Sequence, residues 1–203
     1  MRRTALKFLF VMVVLVEGIA SAATVKIGAT APEFTVVDST GNKVSLGDAK
    51  GKWVVLEWLN HGCPFVQKHY DSGNMQALQT KYTGKGVVWY SVISSAAGKQ
   101  GYSTPAEVTA DIQKHTAKPT AVLLDSDGKV GMAYGAQTTP SMYVINPQGK
   151  LAYMGAIDDK NTTDIADVKT ATNYVAAALD AGMAGKPIAK PSTKSYGCSV
   201  KYK

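Results

Sequence analysis

Two apolar runs constrain this chain more than any other feature. Trp53–Trp58 reads WVVLEW and Gly86–Ser94 reads GVVWYSVIS, with apolar residues at nearly every position rather than every second one. Near-continuous runs of this kind are strands buried on both faces. Each therefore needs a layer of structure above it and another below.

The rest of the pattern supplies those layers. Pro64 opens a predicted helix that runs, with a break at Ser72-Gly73, to about Tyr82. Thr104-Pro105-Ala106-Glu107 places a cap, a proline at the first helical position and an acid in the first turn, which predicts a helix to about Thr116. Thr120–Leu124 is a short strand. Ser141–Ile145 and Leu151–Ala156 flank NPQGK as a hairpin, and Thr163–Met183 reads as one long Ala-rich helical stretch. Before them, Pro32–Asp38 and Lys43–Leu46 form a hairpin around a Ser39–Asn42 turn. Alternating elements in this order predict an α/β fold of three layers, a central mixed β-sheet with helices on both faces.

The N-terminus has the pattern of a secretory signal peptide. Arg2, Arg3 and Lys7 precede an apolar run from Phe8 to Val16, and Ala20-Ser21-Ala22 is a small-residue cleavage site. Residues 1–22 are expected to be removed, leaving a periplasmic or secreted protein with no membrane segment. Residues 23–185 are expected to form one domain, followed by an irregular Lys/Pro-rich tail over residues 186–203. Loss of Arg2, Arg3, Lys7 and Glu17 takes the formal net charge from +7 to +5. The only arginines leave with that segment, so no bidentate base contacts remain, and the lysine excess reads as solubilising rather than as a nucleic-acid surface.

The stretch EWLNHGCPFV, residues 57–66, resembles the thioredoxin superfamily, in which a strand leads to a redox cysteine at a helix N-terminus. Glu57 falls at that family's buried acid and Cys63 at its nucleophilic cysteine, while Val66 replaces the second cysteine. YGAQTTPSMYVINPQGK is similar to the family's cis-proline segment, with Thr139-Pro140 at the bend that lies against the redox cysteine. The likeness is to the redoxin branch, the alkyl hydroperoxide reductase and thiol-specific antioxidant group, and to a periplasmic member with a single active-site cysteine. It implies a thioredoxin-like domain, a thiol activity and no cofactor or metal. The partners implied are a disulfide-bearing protein or a small thiol or peroxide substrate, with a protein that donates or accepts electrons.

The residues carry chemistry of their own. A helix N-terminus stabilises an anion, and Pro64 suits the first turn, so Cys63 is expected to be an acidic, nucleophilic thiol. His61 adds charge or relays a proton, or is an ordinary loop histidine. Glu57 within an apolar strand is expected to accept the thiol proton, with an edge position in water as the alternative.

Cys198 is the only other cysteine. It resolves an adduct on Cys63 from a tail that Gly197 and the prolines make mobile, or leaves that task to an external thiol, or forms a structural disulfide with Cys63 in a non-catalytic binding protein. Thiol–disulfide exchange is the leading reading. A peroxiredoxin-like peroxidase is the alternative, with Asn60 where that family places threonine or serine and no arginine for the peroxide. Copper(I) on His61 and Cys63 is a weaker third reading, because the methionines do not cluster at ligand spacing.

Overall fold

The computed structural model describes residues 25–203, so the signal-peptide reading falls outside the described residues. The chain runs β1 (Thr35–Val37), β2 (Lys43–Ser45), β3 (Val54–Trp58), α1 (Pro64–Asp71), α2 (Asn74–Thr83), β4 (Val88–Ile93), α3 (Pro105–His115) and β5 (Ala121–Leu124). It continues through α4 (Lys129–Tyr134), β6 (Thr138–Thr139), β7 (Ser141–Ile145), β8 (Leu151–Gly155), α5 (Tyr174–Met183) and β9 (Cys198–Ser199).

The central sheet has five strands in the order β5-β4-β3-β7-β8. β3 and β4 are parallel, as are β4 and β5, whereas β7 is antiparallel to both β3 and β8. The sheet is therefore mixed, as the sequence predicts, and the two apolar runs occupy its centre. Every residue of β3 and β4 is buried.

Chain handedness decides which face each helix covers. The steps from β3 to β4 and from β4 to β5 move in the same direction across the sheet. Right-handed crossovers then put α1, α2 and α3 on one face. There Val66, Tyr70, Met75, Leu78, Tyr82 and Val108 pack against Val55, Leu59 and Trp89, joined by Val175 and Leu179 of α5. The return from β5 to β7 carries α4 over the opposite face, where Val130 and Tyr134 meet Leu56, Trp58 and Tyr143. The β1-β2 hairpin and Phe34 complete that second layer.

Three features differ from the sequence reading. The stretch Thr163–Met183 is not one helix: a 3-10 turn covers Ile165–Lys169, and α5 starts only at Tyr174. Asn173 causes the restart. Its side chain caps α5 by accepting from Ala176 N, while Tyr174 N donates to Ile157 O, tying the junction to the end of β8. The short α4 has no apolar period long enough to announce it.

The tail is docked rather than free. Val200 N donates to Gln137 O, Ala96 N donates to Lys201 O, and the Tyr202 hydroxyl donates to Ala136 O. Among the described residues no helix is long and apolar enough to cross a membrane.

Candidate active site

Cys63 sits where β3 hands over to α1. Asn60 shapes the intervening loop: its Oδ1 accepts from Gly62 N at 2.9 Å, its carbonyl accepts from Cys63 N at 3.0 Å, and its Nδ2 donates to Gln100 Oε1 at 3.0 Å. Cys63 is the cap residue of α1, with extended backbone (φ −89, ψ 122), and Pro64 takes the first helical position. The thiol is fully buried and donates to Thr139 O at 3.1 Å.

Thr139-Pro140 is a cis peptide bond, as the sequence resemblance implied. Its strand, β6, pairs antiparallel with β9, setting Thr138 opposite Ser199 and Thr139 opposite Cys198. Thr139 thus touches Cys63 through its carbonyl and Cys198 through the ladder. Gly197 is what lets the tail approach this closely. Its φ is +119, and a Cβ there would collide with Thr139 O.

The two cysteines are free thiols that the fold brings together from opposite ends of the domain. Burial pushes the Cys198 thiol up to about 11, and the neighbouring Cys63 adds to the effect. Either sulfur would attack as a thiolate, so Cys198 needs help or a release from this environment to react.

Glu57 is fully buried in the central strand, which excludes the edge-position alternative. Its Oε1 accepts from the Tyr70 hydroxyl at 2.8 Å. Its Oε2 accepts from Trp89 Nε1 at 2.8 Å, Ser91 Oγ at 2.9 Å and Gln79 Nε2 at 3.2 Å. Burial raises its pKa, and these four donors oppose the rise without cancelling it. Among the described hydrogen bonds none joins Glu57 to Cys63. The carboxyl ties β3 and β4 to α1 and α2, and so anchors the helix that Cys63 begins.

The His61 side chain makes its described contacts with α3 and Tyr70, not with the thiols. Its ring lies parallel to His115 at 5.3 Å, packs edge-on to Tyr70, and stands 3.8 Å from Asp111 Oδ2. Burial pulls its pKa down to about 4, against the pull of Asp111, so it is neutral at pH 7 and adds no positive charge there. One ligand atom from each of His61, Asp111 and His115 lies within 4.8 Å of the others. Two imidazoles binding one ion must aim their nitrogens at a common point, and these parallel rings do not converge. Copper(I) on His61 together with Cys63 has no support in this arrangement.

These features form a recognisable set: a cysteine capping a helix at the end of a central strand, against a cis-proline loop, on a mixed sheet with a parallel β3-β4-β5 half. Residues 27–154 match the AhpC/TSA family. The chain belongs to that family.

Relatives agree. The chain is 28% identical over 124 residues to the thiol-disulfide oxidoreductase ResA of Bacillus subtilis, covering 61% of this chain and 64% of that protein. The match thus spans a little under two thirds of that relative. An uncharacterized conserved protein from Geobacillus kaustophilus superposes with a TM-score of 0.75 at 28% identity, covering 89% of this chain and 94% of the other. A hypothetical protein from Sinorhizobium meliloti 1021 shares the fold, with a TM-score of 0.73 at 24% identity over 89% of this chain and 96% of the other. The AhpC/TSA match ends before the tail, so the segment that carries Cys198 lies outside it.

Of the residues singled out from sequence, Cys63, Pro64, Thr139, Pro140 and Cys198 come together. Glu57 lies below them, Asn60 braces the loop, and His61 faces α3. The sequence reading missed Tyr70, Gln79, Trp89 and Ser91, the partners of Glu57, and Tyr196, two residues before Cys198. The signal for the first group was the polar Ser91 inside an apolar strand. It is the register partner of Glu57.

Proposed function

We propose that this protein is an exported thiol–disulfide oxidoreductase in which Cys63 and Cys198 are the redox pair. The observation that carries the reading is the β6–β9 pairing, which sets Cys198 beside the helix-capping Cys63 on the cis-proline loop. Membership of a thiol-based family and likeness to a thiol-disulfide oxidoreductase support it.

In this reading the Cys63 thiolate attacks a substrate disulfide, forms Cys63–S–S–R and releases the second substrate thiolate. The Cys198 thiolate then attacks the Cys63 sulfur, closing Cys63–S–S–Cys198 and releasing RS⁻. The two thiol protons leave with the two product thiols. The substrate is reduced by two electrons and the protein is oxidised, and a dithiol protein returns it to the starting state. Run in reverse, the same steps oxidise a dithiol substrate. Cys198 thus replaces the second cysteine that Val66 displaces from α1. An open cleft of about 650 Å³ borders the tail beside Gly197, lined in part by Phe65, Thr138 and Tyr174; Cys63 itself is buried, so in this reading a substrate disulfide reaches it only when the tail moves aside.

The peroxidase reading has less support. Asn60 spends its side chain on Gly62 and Gln100, and the described residues contain no arginine. Cys198→Ser tests the proposal. It should trap mixed disulfides on Cys63 and make turnover depend on added small thiol. A Cys63–Cys198 disulfide that stays closed under thioredoxin-strength reductant (about −270 mV), with nothing trapped by the variant, would assign the bond to structure instead.

A further inference from the structure

Beneath the tail lies a cluster of buried polar groups that the exchange chemistry does not use. Lys68 and His69, side by side on α1, have side chains with no exposure, and Asp158, just after β8, has 1%. Burying such groups is costly unless they are paired. All three converge on the hydroxyl of Tyr196.

The hydroxyl donates to Asp158 Oδ1, lies 3.2 Å from His69 Nε2 and accepts from Lys68 Nζ at 3.5 Å. Asn74 Nδ2 meets His69 Nδ1 at 2.9 Å; with Asn74 donating, the ring proton sits on Nε2 and faces Tyr196. Lys68 Nζ also donates to Lys160 O at 2.6 Å and stands 3.8 Å from Asp158 Oδ2. That oxygen has no hydrogen-bond partner, so the carboxylate is held by the ion pair on one side and, at Oδ1, by Tyr196 and by Lys160 N at 3.0 Å. The tyrosine ring is clamped as well, with Phe65 at 5.7 Å and Lys68 Nζ 5.2 Å from its centre.

Cys198 follows Tyr196 by two residues, and Gly197 between them is pressed against Thr139. We propose that Tyr196 is a positioning residue: its hydroxyl, held by Asp158, His69 and Lys68, latches the tail so that Cys198 stays beside Cys63. The role given to Cys198 rests on the exchange reading above, but the latch itself does not. The latch also gives the buried lysine a role beside its pairing with Asp158 and its attraction to Asp167 of the 3-10 turn. Both ends of the redox pair share one support, because Lys68 and His69 belong to the helix that Cys63 caps.

The latch is tested by iodoacetamide alkylation of Cys198 in the folded Cys63→Ser protein. Docked, this thiol is partly covered; released, it is an ordinary exposed thiol and reacts faster. Tyr196→Phe removes the hydroxyl, and with it the charge-assisted hydrogen bond to Asp158 and the contacts to His69 and Lys68, and should speed alkylation by about tenfold or more. Asp158→Asn, acting at the other end of the same bond, should do likewise. The double variant should be little faster than the faster single, because both act through the shared Tyr196–Asp158 bond. Hydrogen exchange should rise only around residues 196–202.

An unchanged alkylation rate in folded Tyr196→Phe overturns the latch. So does a double variant whose acceleration is the product of the two singles. Should Tyr196→Phe not fold, Asp158→Asn decides the question by the same rate. Because Cys63 is absent, this result is independent of whether Cys198→Ser traps mixed disulfides.

Discussion

Replacing Glu57 in two ways separates what its shape contributes from what its acceptors contribute. Glu57→Leu leaves Tyr70, Gln79, Trp89 and Ser91 without the carboxyl. Tyr70 and Gln79 keep each other, since Gln79 Nε2 also donates to the Tyr70 hydroxyl at 3.3 Å. Trp89 Nε1 and Ser91 Oγ are orphaned in a dry interior, at about 1–3 kcal/mol each. Relief of the carboxyl's own desolvation offsets part of that, so a net loss of about 2–4 kcal/mol is expected.

Glu57→Gln keeps one oxygen. Placed at the Oε2 position, it still faces Trp89, Ser91 and Gln79, while its amide meets Tyr70, whose hydroxyl can turn and accept. The loss should be about 1 kcal/mol. Urea unfolding of both variants, with unchanged m-values, reads the difference. Equal stability of the Gln and Leu variants would refute this account of the site.

The pH dependence has a definite sign. Burial holds the folded pKa of Glu57 above the ordinary 4.5, so the folded state keeps this proton longer than the unfolded chain. Its contribution is complete below 4.5 and is lost as pH rises through the folded value; Glu57→Gln removes that slope. Disulfide exchange by folded Glu57→Gln should stay within about threefold of wild type, since no described hydrogen bond joins Glu57 to Cys63 and a positioned acid–base partner is worth about 10²-fold or more. A tenfold drop would give Glu57 the proton-accepting role that the sequence suggested.

Gly197→Ala should slow closure of the Cys63–Cys198 disulfide by oxidised glutathione at least about tenfold, because the new Cβ collides with Thr139 O. An unchanged rate would mean that β9 is not how the thiols meet. Cys63→Ser should lower the Cys198 titration from about 11 only part of the way, since burial outweighs Cys63 among its causes; alkylation against pH measures this, and an unmoved curve would remove Cys63 as a neighbour. His61 and His69 are held neutral, at about 4 and about 3, so stability should fall as pH drops from 6.5 through those values, by a few kcal/mol in all. Proton NMR of the two rings checks it, and ordinary titration near 6.5 would contradict the burial. Intact mass of exported protein should show a start near Ala23; a full-length exported chain would remove the signal-peptide reading.

The parts of this fold that sequence made legible are those with local physics. The apolar runs of β3 and β4, the Thr104 cap and the Ser72-Gly73 break each decide structure within a few residues. Cys63 was equally plain, because proline after a cysteine at a strand end marks a helix start. What stayed hidden depends on distant partners. Nothing near Tyr196 announces that Lys68 and Asp158 await it, and nothing near Glu57 says which four donors surround it. The tail misled for the same reason. Glycine and proline suggest a mobile arm when read locally, whereas Gly197 is there to let two backbones touch.

The tail's position also ties the chemistry to the order of synthesis. The sheet and the Cys63 helix are complete by α5, and Lys68, His69 and Asp158 are already in the chain, but the second thiol and Tyr196 arrive with the final stretch, residues 196–202. On the exported reading proposed above, a chain still emerging holds Cys63 without an internal partner, open to any disulfide it meets. Only when the last residues are through does β9 close over the site. On the same reading, a carboxypeptidase that trims residues 196–203 should return the protein to that earlier condition, with mixed disulfides on Cys63 that no internal thiol releases.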